Sequence, residues 1–164
     1  MKLSINEIKK DDWSEVERIY REGIDTGEAT LETQTPAYDD WDAKHVPTCR
    51  LAARAEGGVL GFVVLGPVST RAVYSGVAEV SIYVAEKARG LGVGKALMDA
   101  VIAASEKEGF WTLQAVVLPE NKASLALHRA SGFREVGRRE RIGRKNGVWR
   151  DTVLLERRSR LVGV

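Results

Sequence analysis

Apolar and polar residues follow two different periods along this chain, and the order of those periods predicts its secondary structure. Segments with a period of two predict strands near residues 3–8, 49–54, 59–65, 77–84, 111–118, 133–142 and 148–156. Apolar residues that recur every three or four positions predict helices starting near residues 11, 35, 93 and 121. The order β-α-α-β-β-β-α-β-α-β-β predicts a single domain over residues 1–164, built on one mixed α/β sheet rather than a doubly wound one.

Local signals predict where several helices begin and end. Asp11 or Asp12 is expected to cap the first helix, and Thr35-Pro36 is expected to start the second, with proline in the first helical position. Asn121 is expected to cap the last helix, and Gly132 is expected to stop it.

The strand predicted at residues 77–84 has two chemically different faces. One face carries Glu79, Ser81 and Tyr83, whereas the residues between them are all apolar. Because successive side chains of a strand point to opposite faces, the apolar face suits a core and the other suits a cleft. The strand therefore predicts a carboxylate, a hydroxyl and a phenol beside a binding site.

Directly after this strand comes Arg89-Gly90-Leu91-Gly92-Val93-Gly94, followed by the pattern of a helix. Alternating glycines can adopt positive φ and turn successive amide groups inward, and a helix start adds unpaired amides and the positive end of a dipole. This combination predicts a site for a polyanion, most simply a diphosphate. Lys95 replaces the last glycine of the dinucleotide fingerprint, and Ala96 replaces the Ser or Thr of a P-loop, so the motif matches neither.

Composition narrows the class of protein. The chain is 44% hydrophobic and 29% charged with a net charge of +2, and its one cysteine, Cys49, excludes an intrachain disulfide. The N-terminus lacks the apolar core of a signal peptide, and no apolar run is long enough to span a membrane. We therefore expect a soluble cytoplasmic protein with no membrane partner.

An arginine-rich C-terminal stretch raises nucleic-acid binding as an alternative. Acidic residues alternate with those arginines between residues 134 and 160, and no set of stacking aromatics accompanies them. We therefore expect no nucleic-acid partner.

The glycine-rich motif resembles the acetyl-CoA-binding motif of the GNAT superfamily of N-acetyltransferases. Together with the preceding Ala-Glu-Val-Ser-Ile-Tyr-Val, it resembles the phosphinothricin and methionine sulfoximine acetyltransferase branch. Three further segments are similar to that branch: the spacing of Arg71, Tyr74 and Glu79, the segment Asn121-x-x-Ser124-x-x-x-His128-x-x-x-Gly132-Phe133, and Lys145-Asn146-Gly147-Val148-Trp149-Arg150-Asp151. Four matches in the same order make this resemblance much more specific than any one of them.

The resemblance implies a mostly antiparallel central sheet flanked by helices, acetyl-CoA as co-substrate, no metal, and a homodimer. It also implies that the cofactor is bound by residues of the strand, the turn and the last helix: Ile82, Tyr83, Val84, Arg89, Gly90, Leu91, Gly92, Val93, Gly94, Lys95, Asn121 and Ser124.

If the protein transfers an acetyl group to an amine, two titratable residues are candidates for the proton-transfer steps. An alkylammonium has a pKa of about 10, so it must lose a proton, and Glu79 is the candidate general base, acting directly or through a water. His128 is the candidate donor of a proton to the leaving thiolate. Backbone amides around residues 80–83 are expected to stabilise the oxyanion if this strand splays from its neighbour, as the resemblance implies. Two alternatives stay open: Glu79 only orients the amine, and His128 is a packed helix residue.

Five residues are candidates for the acceptor pocket. Arg71 suits an acceptor carboxylate, and Tyr74 and Trp149 suit the pocket walls. The resemblance places Thr30 and Leu31 over the same pocket, with Leu31 where the branch commonly has phenylalanine. It implies acetylation of the α-amine of a small amino-acid analogue, and we expect methionine sulfoximine or methionine sulfone in preference to phosphinothricin. The alternatives are a peptide N-terminus or another primary amine as acceptor, and a non-catalytic sensor of acyl-CoA.

Overall fold

A computed structural model describes residues 1–164. It contains seven strands and four helices: β1 (Ser4–Glu7), α1 (Trp13–Asp25), α2 (Tyr38–Lys44), β2 (Leu51–Ala55), β3 (Gly58–Pro67), β4 (Val77–Val84), α3 (Val93–Lys107), β5 (Thr112–Val117), α4 (Lys122–Ala130), β6 (Arg134–Lys145) and β7 (Val148–Arg158). This is the order that the sequence pattern predicts, so the predicted fold class is confirmed.

All seven strands form one sheet in the order β1-β2-β3-β4-β5-β7-β6. Every neighbouring pair is antiparallel except β4 and β5, which are parallel because α3 connects them across the sheet. The sheet is therefore mostly antiparallel, with its one parallel pair in the middle.

Helices cover both faces of the sheet. Phe62 of β3 contacts the ring of Trp41 in α2 and stacks on Tyr83, which also contacts Tyr20 of α1. Neighbouring Gly61 faces the other way, where a Cβ atom would lie 3.0 Å from Leu97 of α3 and 2.9 Å from the carbonyl oxygen of Tyr83. Helices α1 and α2 thus lie on one face and α3 on the other, and a glycine is needed for that close approach.

A core of 27 buried residues joins these layers. Phe62, Val63, Leu65, Leu97 and Met98 are among its fully buried members. Burial of such side chains contributes about 25 cal/mol per Å² of apolar surface, and this term fixes the helices on the sheet. None of the four helices combines the length and apolar character needed to cross a membrane.

The predicted helix ends are confirmed in α4 and wrong in α2, whereas in α1 Asp12 occupies the N-cap position without a capping hydrogen bond. The side chain of Asn121 accepts a hydrogen bond from the Ser124 amide at 3.2 Å, and Gly132 follows the helix with φ +89°. Asp12 makes no helix-capping bond, because its carboxylate accepts from the Lys9 amide and pairs with Arg54 at 2.7 Å. Helix α2 begins at Tyr38, two residues after Pro36.

Candidate active site

The two parallel strands separate soon after they begin. β4 and β5 pair only at Val77/Thr112, Ala78/Leu113 and Glu79/Gln114, although both strands continue for several residues. The predicted splay is therefore present. It opens one side of a cavity of about 950 Å³, which extends between the two faces of the sheet.

The splay leaves a row of backbone groups of β4 without a strand partner. The Ala85 amide donates to Leu60 of β3, and the Gly76 carbonyl accepts from residues at the start of β5. Because backbone groups alternate in direction along a strand, the amides of Ile82 and Val84, beyond the last residue pair, point towards the gap. These amides are hydrogen-bond donors for a ligand that lies between the strands.

The glycine-rich turn forms one end of the cavity. Gly90 and Gly92 have φ of +77° and +84°, and Gly92 is the N-cap of α3. The first helical bond of α3 runs from the Ala96 amide to the Gly92 carbonyl, so the preceding amides have no partner within the helix. With Arg89 and Lys95 on the same wall, this end of the cavity has the donors and the positive charge to bind a diphosphate.

Glu79 lines the same cavity farther along β4. It is half-buried, and the side-chain amide of Gln114 donates to its Oε1 at 2.9 Å. The last β4–β5 residue pair brings these two side chains together on one face. This bond fixes one carboxylate oxygen and leaves the other free to accept a proton.

Tyr83 packs on the same face of β4, between aromatic rings. Its ring centroid lies 5.4 Å from that of Phe62 and 4.9 Å from that of Tyr20. Burial raises the pKa of Tyr83 well above its ordinary value of 10.0, so its hydroxyl stays protonated at neutral pH.

His128 lies in α4 with only 2% of its surface exposed. Its Nδ1 is 2.7 Å from the carbonyl oxygen of Ser124, which can only accept, so the proton is on Nδ1. Burial lowers the pKa of His128, and its Nε2 has no hydrogen-bond partner. The ring is therefore neutral at neutral pH, with a lone pair on Nε2, which is unsuited to donating a proton.

The segment between α1 and α2 covers the end of the cavity near Glu79. Thr30 and Leu31 line it, as expected, and so do Glu28 and Glu32. The segment rests on the β6–β7 hairpin, where Lys145 donates to the Thr30 carbonyl at 2.8 Å. A Cβ atom on Gly143 would lie 2.5 Å from the Cδ1 of Leu31, so the Leu31 side chain occupies the space beside this glycine.

Most of the predicted site residues meet in this cavity. Those that line it are Thr30, Leu31, Glu79, Ile82, Tyr83, Val84, Arg89, Gly90, Gly92, Val93, Gly94, Lys95, Asn121, Ser124 and His128. Leu91, in the glycine-rich turn, is 58% exposed and does not line it.

Three predicted acceptor residues lie outside the cavity. The Arg71 guanidinium stacks over the exposed ring of Tyr74, 5.4 Å from its centroid, in the loop between β3 and β4. Trp149 is 56% exposed on β7, where Arg144 stacks over it. The chain therefore brings none of the three to the cavity.

Sequence reasoning missed several residues of the site. Gln114 lies on the polar face of a predicted strand. The alternation of apolar and polar residues in that strand is the only feature of the sequence that indicates its position. Glu28 and Glu32 lie in a segment without periodicity, and Lys145 is 115 residues from Thr30 in sequence. These contacts depend on tertiary structure.

Charge is distributed unevenly along the cavity. Arg89 and Lys95 lie at the glycine-rich end, whereas Glu28, Glu32 and Glu79 lie at the other, which no lysine or arginine lines. No group of three or more His, Cys, Asp or Glu side chains is arranged to hold a metal ion. The arrangement suits an anionic ligand at one end and an amine at the other.

Known proteins share this architecture and sequence. The chain is 32% identical over 160 residues to a phosphinothricin N-acetyltransferase from Alcaligenes faecalis, covering 94% of this chain and 81% of that protein. It is 32% identical over 120 residues to an L-methionine sulfoximine/L-methionine sulfone acetyltransferase from Pseudomonas aeruginosa, covering 73% and 70% of the two chains.

A solved structure is similar to this chain in both fold and sequence. The GNAT superfamily phosphinothricin acetyltransferase from Sinorhizobium meliloti, in complex with AcCoA, has a TM-score of 0.85 and 30% identity, covering 96% of this chain and 89% of that one. Residues 6–133 match the family described as acetyltransferase (GNAT) family. The resemblance seen in the motifs is thereby confirmed, and the chain belongs to the GNAT family of acetyltransferases.

Proposed function

We propose that this protein transfers the acetyl group of acetyl-CoA to the α-amine of a small amino-acid analogue, of the methionine sulfoximine, methionine sulfone or phosphinothricin type. One observation carries the proposal: a carboxylate held by Gln114 opens into the cavity that the splayed strand and the glycine-rich turn also line. These groups suit an anion, the amide-bearing arm of a cofactor and an amine acceptor within one cavity.

The proposed binding of acetyl-CoA depends on the glycine-rich turn. The unpaired amides at the start of α3, with Arg89 and Lys95, suit the pyrophosphate of acetyl-CoA. The free amides of β4 then suit the amide-bearing arm that leads from the pyrophosphate to the thioester. The complex of the Sinorhizobium meliloti relative with AcCoA supports the same choice of acetyl donor.

The chemical step needs a base and a site for an oxyanion. Glu79 accepts the proton of the acceptor ammonium, directly or through a water, and the free amine attacks the thioester carbonyl. A new C–N bond forms, and the oxyanion of the intermediate accepts hydrogen bonds from the unpaired β4 amides. The nitrogen loses its second proton to solvent, the C–S bond breaks, and the acetyl group passes directly between the two substrates.

The thiolate leaves without help from His128 in this scheme. A thiol has a pKa of about 8.5, so its thiolate is a fair leaving group that solvent can protonate. His128 is neutral, and its one proton is shared with the Ser124 carbonyl. Its ring packs edge-to-face against Phe133 instead.

The choice of acceptor rests on the relatives. The proteins from Alcaligenes faecalis and Pseudomonas aeruginosa are named for phosphinothricin and for methionine sulfoximine or sulfone. A second candidate is a peptide N-terminus or another primary amine without a neighbouring carboxylate. It is favoured by Glu28 and Glu32, because no cation lines their end of the cavity to pair with a carboxylate.

A thiol-release assay with acetyl-CoA distinguishes these acceptors. The panel contains methionine sulfoximine, methionine sulfone, phosphinothricin, a short peptide with a free N-terminus and a diamine. We expect the highest kcat/KM with methionine sulfoximine or sulfone. Preference for the diamine or the peptide would replace the proposed acceptor by the second candidate.

The substitution Glu79→Gln separates an enzyme from a non-catalytic acyl-CoA sensor. We expect kcat to fall by about 10²–10⁴-fold, since general-base catalysis contributes roughly that factor, while acetyl-CoA affinity measured by calorimetry stays unchanged. Turnover equal to that of the unaltered protein would exclude Glu79 as the base. An absence of turnover in both, with acetyl-CoA bound, would favour the sensor.

A further inference from the structure

Lys145 is a buried cation whose only hydrogen-bond partner is a backbone carbonyl. It lies at the end of β6 with 7% of its surface exposed, and its Nζ donates to the Thr30 carbonyl at 2.8 Å. No carboxylate lies within 4.0 Å of this ammonium. Burying an unpaired charge is costly, so an apolar side chain would serve stability alone at least as well.

Two other hairpin contacts reach the same segment. Arg150 of β7 donates to the Gly27 carbonyl at 3.2 Å, and Leu31 packs into the space left open at Gly143. Residues 26–32 have no helix or strand of their own. The two side-chain hydrogen bonds within the segment are short-range turns, from the Glu28 amide to the Thr26 hydroxyl and from the Glu32 amide to the Thr30 hydroxyl. The hairpin therefore holds this segment in place.

The held segment is also the wall of the cavity beside Glu79. Thr26 and residues 28–32 line that end, whereas the glycine-rich turn lies at the other. Lys145 itself does not line the cavity, so it acts on a ligand only through the segment. A displacement of Thr30 would move the acceptor wall and leave the anion site intact.

We propose that Lys145 is a positioning residue for the amine acceptor, and that it acts by fixing the Thr30 carbonyl and with it the wall formed by residues 28–32. The proposal rests on the proposed function, because it assigns this end of the cavity to the acceptor. The ammonium is suited to the task, since a charge-assisted hydrogen bond in a buried setting is shorter and stronger than a neutral one.

The substitution Lys145→Met tests the proposal, because methionine keeps much of the apolar length and removes the donor. We expect the KM for the best acceptor to rise about tenfold, from the loss of a hydrogen bond to a charged group, and the KM for acetyl-CoA to change less than twofold. Arg144→Met is the matched control: this neighbour is exposed on the same strand, and we expect it to leave both constants unchanged.

Hydrogen exchange supplies a readout that does not depend on turnover. In Lys145→Met we expect faster exchange of the amides in residues 26–32 and unchanged exchange in the β5–β7 ladder. Lys145→Arg keeps a charged donor and should recover part of the protection. If Lys145→Met does not fold, Lys145→Gln, which keeps a neutral donor, is measured in its place with the same expectations.

Three outcomes would overturn the proposal. The first is unchanged exchange in residues 26–32, and the second is an unchanged acceptor KM. The third is an equal rise in both Michaelis constants, which would indicate a general loss of structure. If the unaltered protein acetylates no amine, the proposed function fails by itself, and faster exchange in Lys145→Met would still establish the contact.

Discussion

Pairs of residues that the sheet register brings together determine the chemistry of the site. Glu79 and Gln114 are 35 residues apart in sequence, yet they meet at the last residue pair before β4 and β5 separate. The bond therefore lies at the boundary between closed sheet and open cavity. A carboxylate held there is oriented by the backbone of two strands.

Gln114→Leu removes the donor that holds Glu79. We expect kcat to fall about tenfold, because a hydrogen bond to a charged group contributes roughly 1.5–3 kcal/mol, with acetyl-CoA affinity unchanged. Steady-state thiol release checks this. Thr112→Val, two positions earlier on the same strand, is the control; an equal loss in both variants would mean that strand packing, and not the bond to Glu79, was disturbed.

His128 links protonation to stability. Burial lowers its pKa below the ordinary value of 6.5, so the unfolded chain binds a proton at this position more readily than the folded protein does. Its contribution to stability is full above about pH 6.5 and is lost as pH falls towards the lowered pKa. We expect the free energy of unfolding, measured by urea titration between pH 5 and 7.5, to decrease towards acid pH.

His128→Gln removes this group and should flatten the slope of that curve. Part of the slope will remain, because burial also lowers the pKa of His45. An identical slope in both proteins would show that His128 does not titrate between these pH values.

At the residue scale, the sequence predicts where a site residue lies when that residue belongs to a segment with regular hydrophobic periodicity. Glu79 is an example, because strand alternation alone puts it on the polar face beside the cavity. Arg71, Tyr74 and Trp149 are expected at the acceptor pocket from their side-chain chemistry, and they lie exposed elsewhere. The positions of these three side chains depend on the path of the β3–β4 loop and of the β6–β7 hairpin. Hydrophobic periodicity does not predict that path.

At the scale of elements, the unit of β4, the glycine-rich turn and α3 carries the anion site. Gly92 has φ +84° and no neighbouring atom within 4 Å of an added Cβ, and Gly57, in the β2–β3 turn, has φ +99° and the same open space. The two glycines therefore meet the same backbone requirement at different places, one at the cavity and one away from it.

Gly92→Ala and Gly57→Ala form a matched pair. We expect each to lower the free energy of unfolding by about 1–2 kcal/mol, because left-handed backbone is strained for alanine. Only Gly92→Ala should weaken acetyl-CoA binding, measured by calorimetry, since it redirects amides of the anion site. Equal affinities in the two variants would exclude a role of this turn in binding.

Helix ends show why local signals succeed in one place and fail in another. Asn121 caps α4 as predicted, and it has no competing side-chain partner. Asp12 has the right chemistry for a cap, but Arg54, 42 residues away, binds its carboxylate through two nitrogens. A charged tertiary partner outweighs a cap worth about 1 kcal/mol, and sequence alone does not reveal that partner.

At the scale of the whole molecule, the many arginines near the C-terminus are interspersed with acidic residues, and some of them form ion pairs. Arg134 pairs with Glu156 at 2.5 Å, and Arg138 pairs with Asp151 at 2.8 Å, both on the β6–β7 hairpin. With a net charge of +2, these arginines do not amount to a surface of one sign.

Chromatography on heparin tests this reasoning. We expect elution below about 0.2 M salt, because the net charge is only +2 and acidic residues alternate with the arginines. A double variant, Asp151→Asn with Glu156→Gln, frees two arginines and should elute later. Strong retention of the unaltered protein would revive nucleic acid as a partner.

The short contact between β4 and β5 has a consequence for the two sides of the sheet. Only three residue pairs connect strands β1 to β4 with strands β5 to β7. Acetyl-CoA that accepts hydrogen bonds from the free β4 amides would take the place of an additional strand. It would thereby strengthen the connection between these two groups of strands. Binding then raises the free energy of unfolding by RT ln(1 + [L]/Kd), where [L] is the free concentration of acetyl-CoA. The concentration of acetyl-CoA would therefore affect the thermal stability of the protein as well as its turnover.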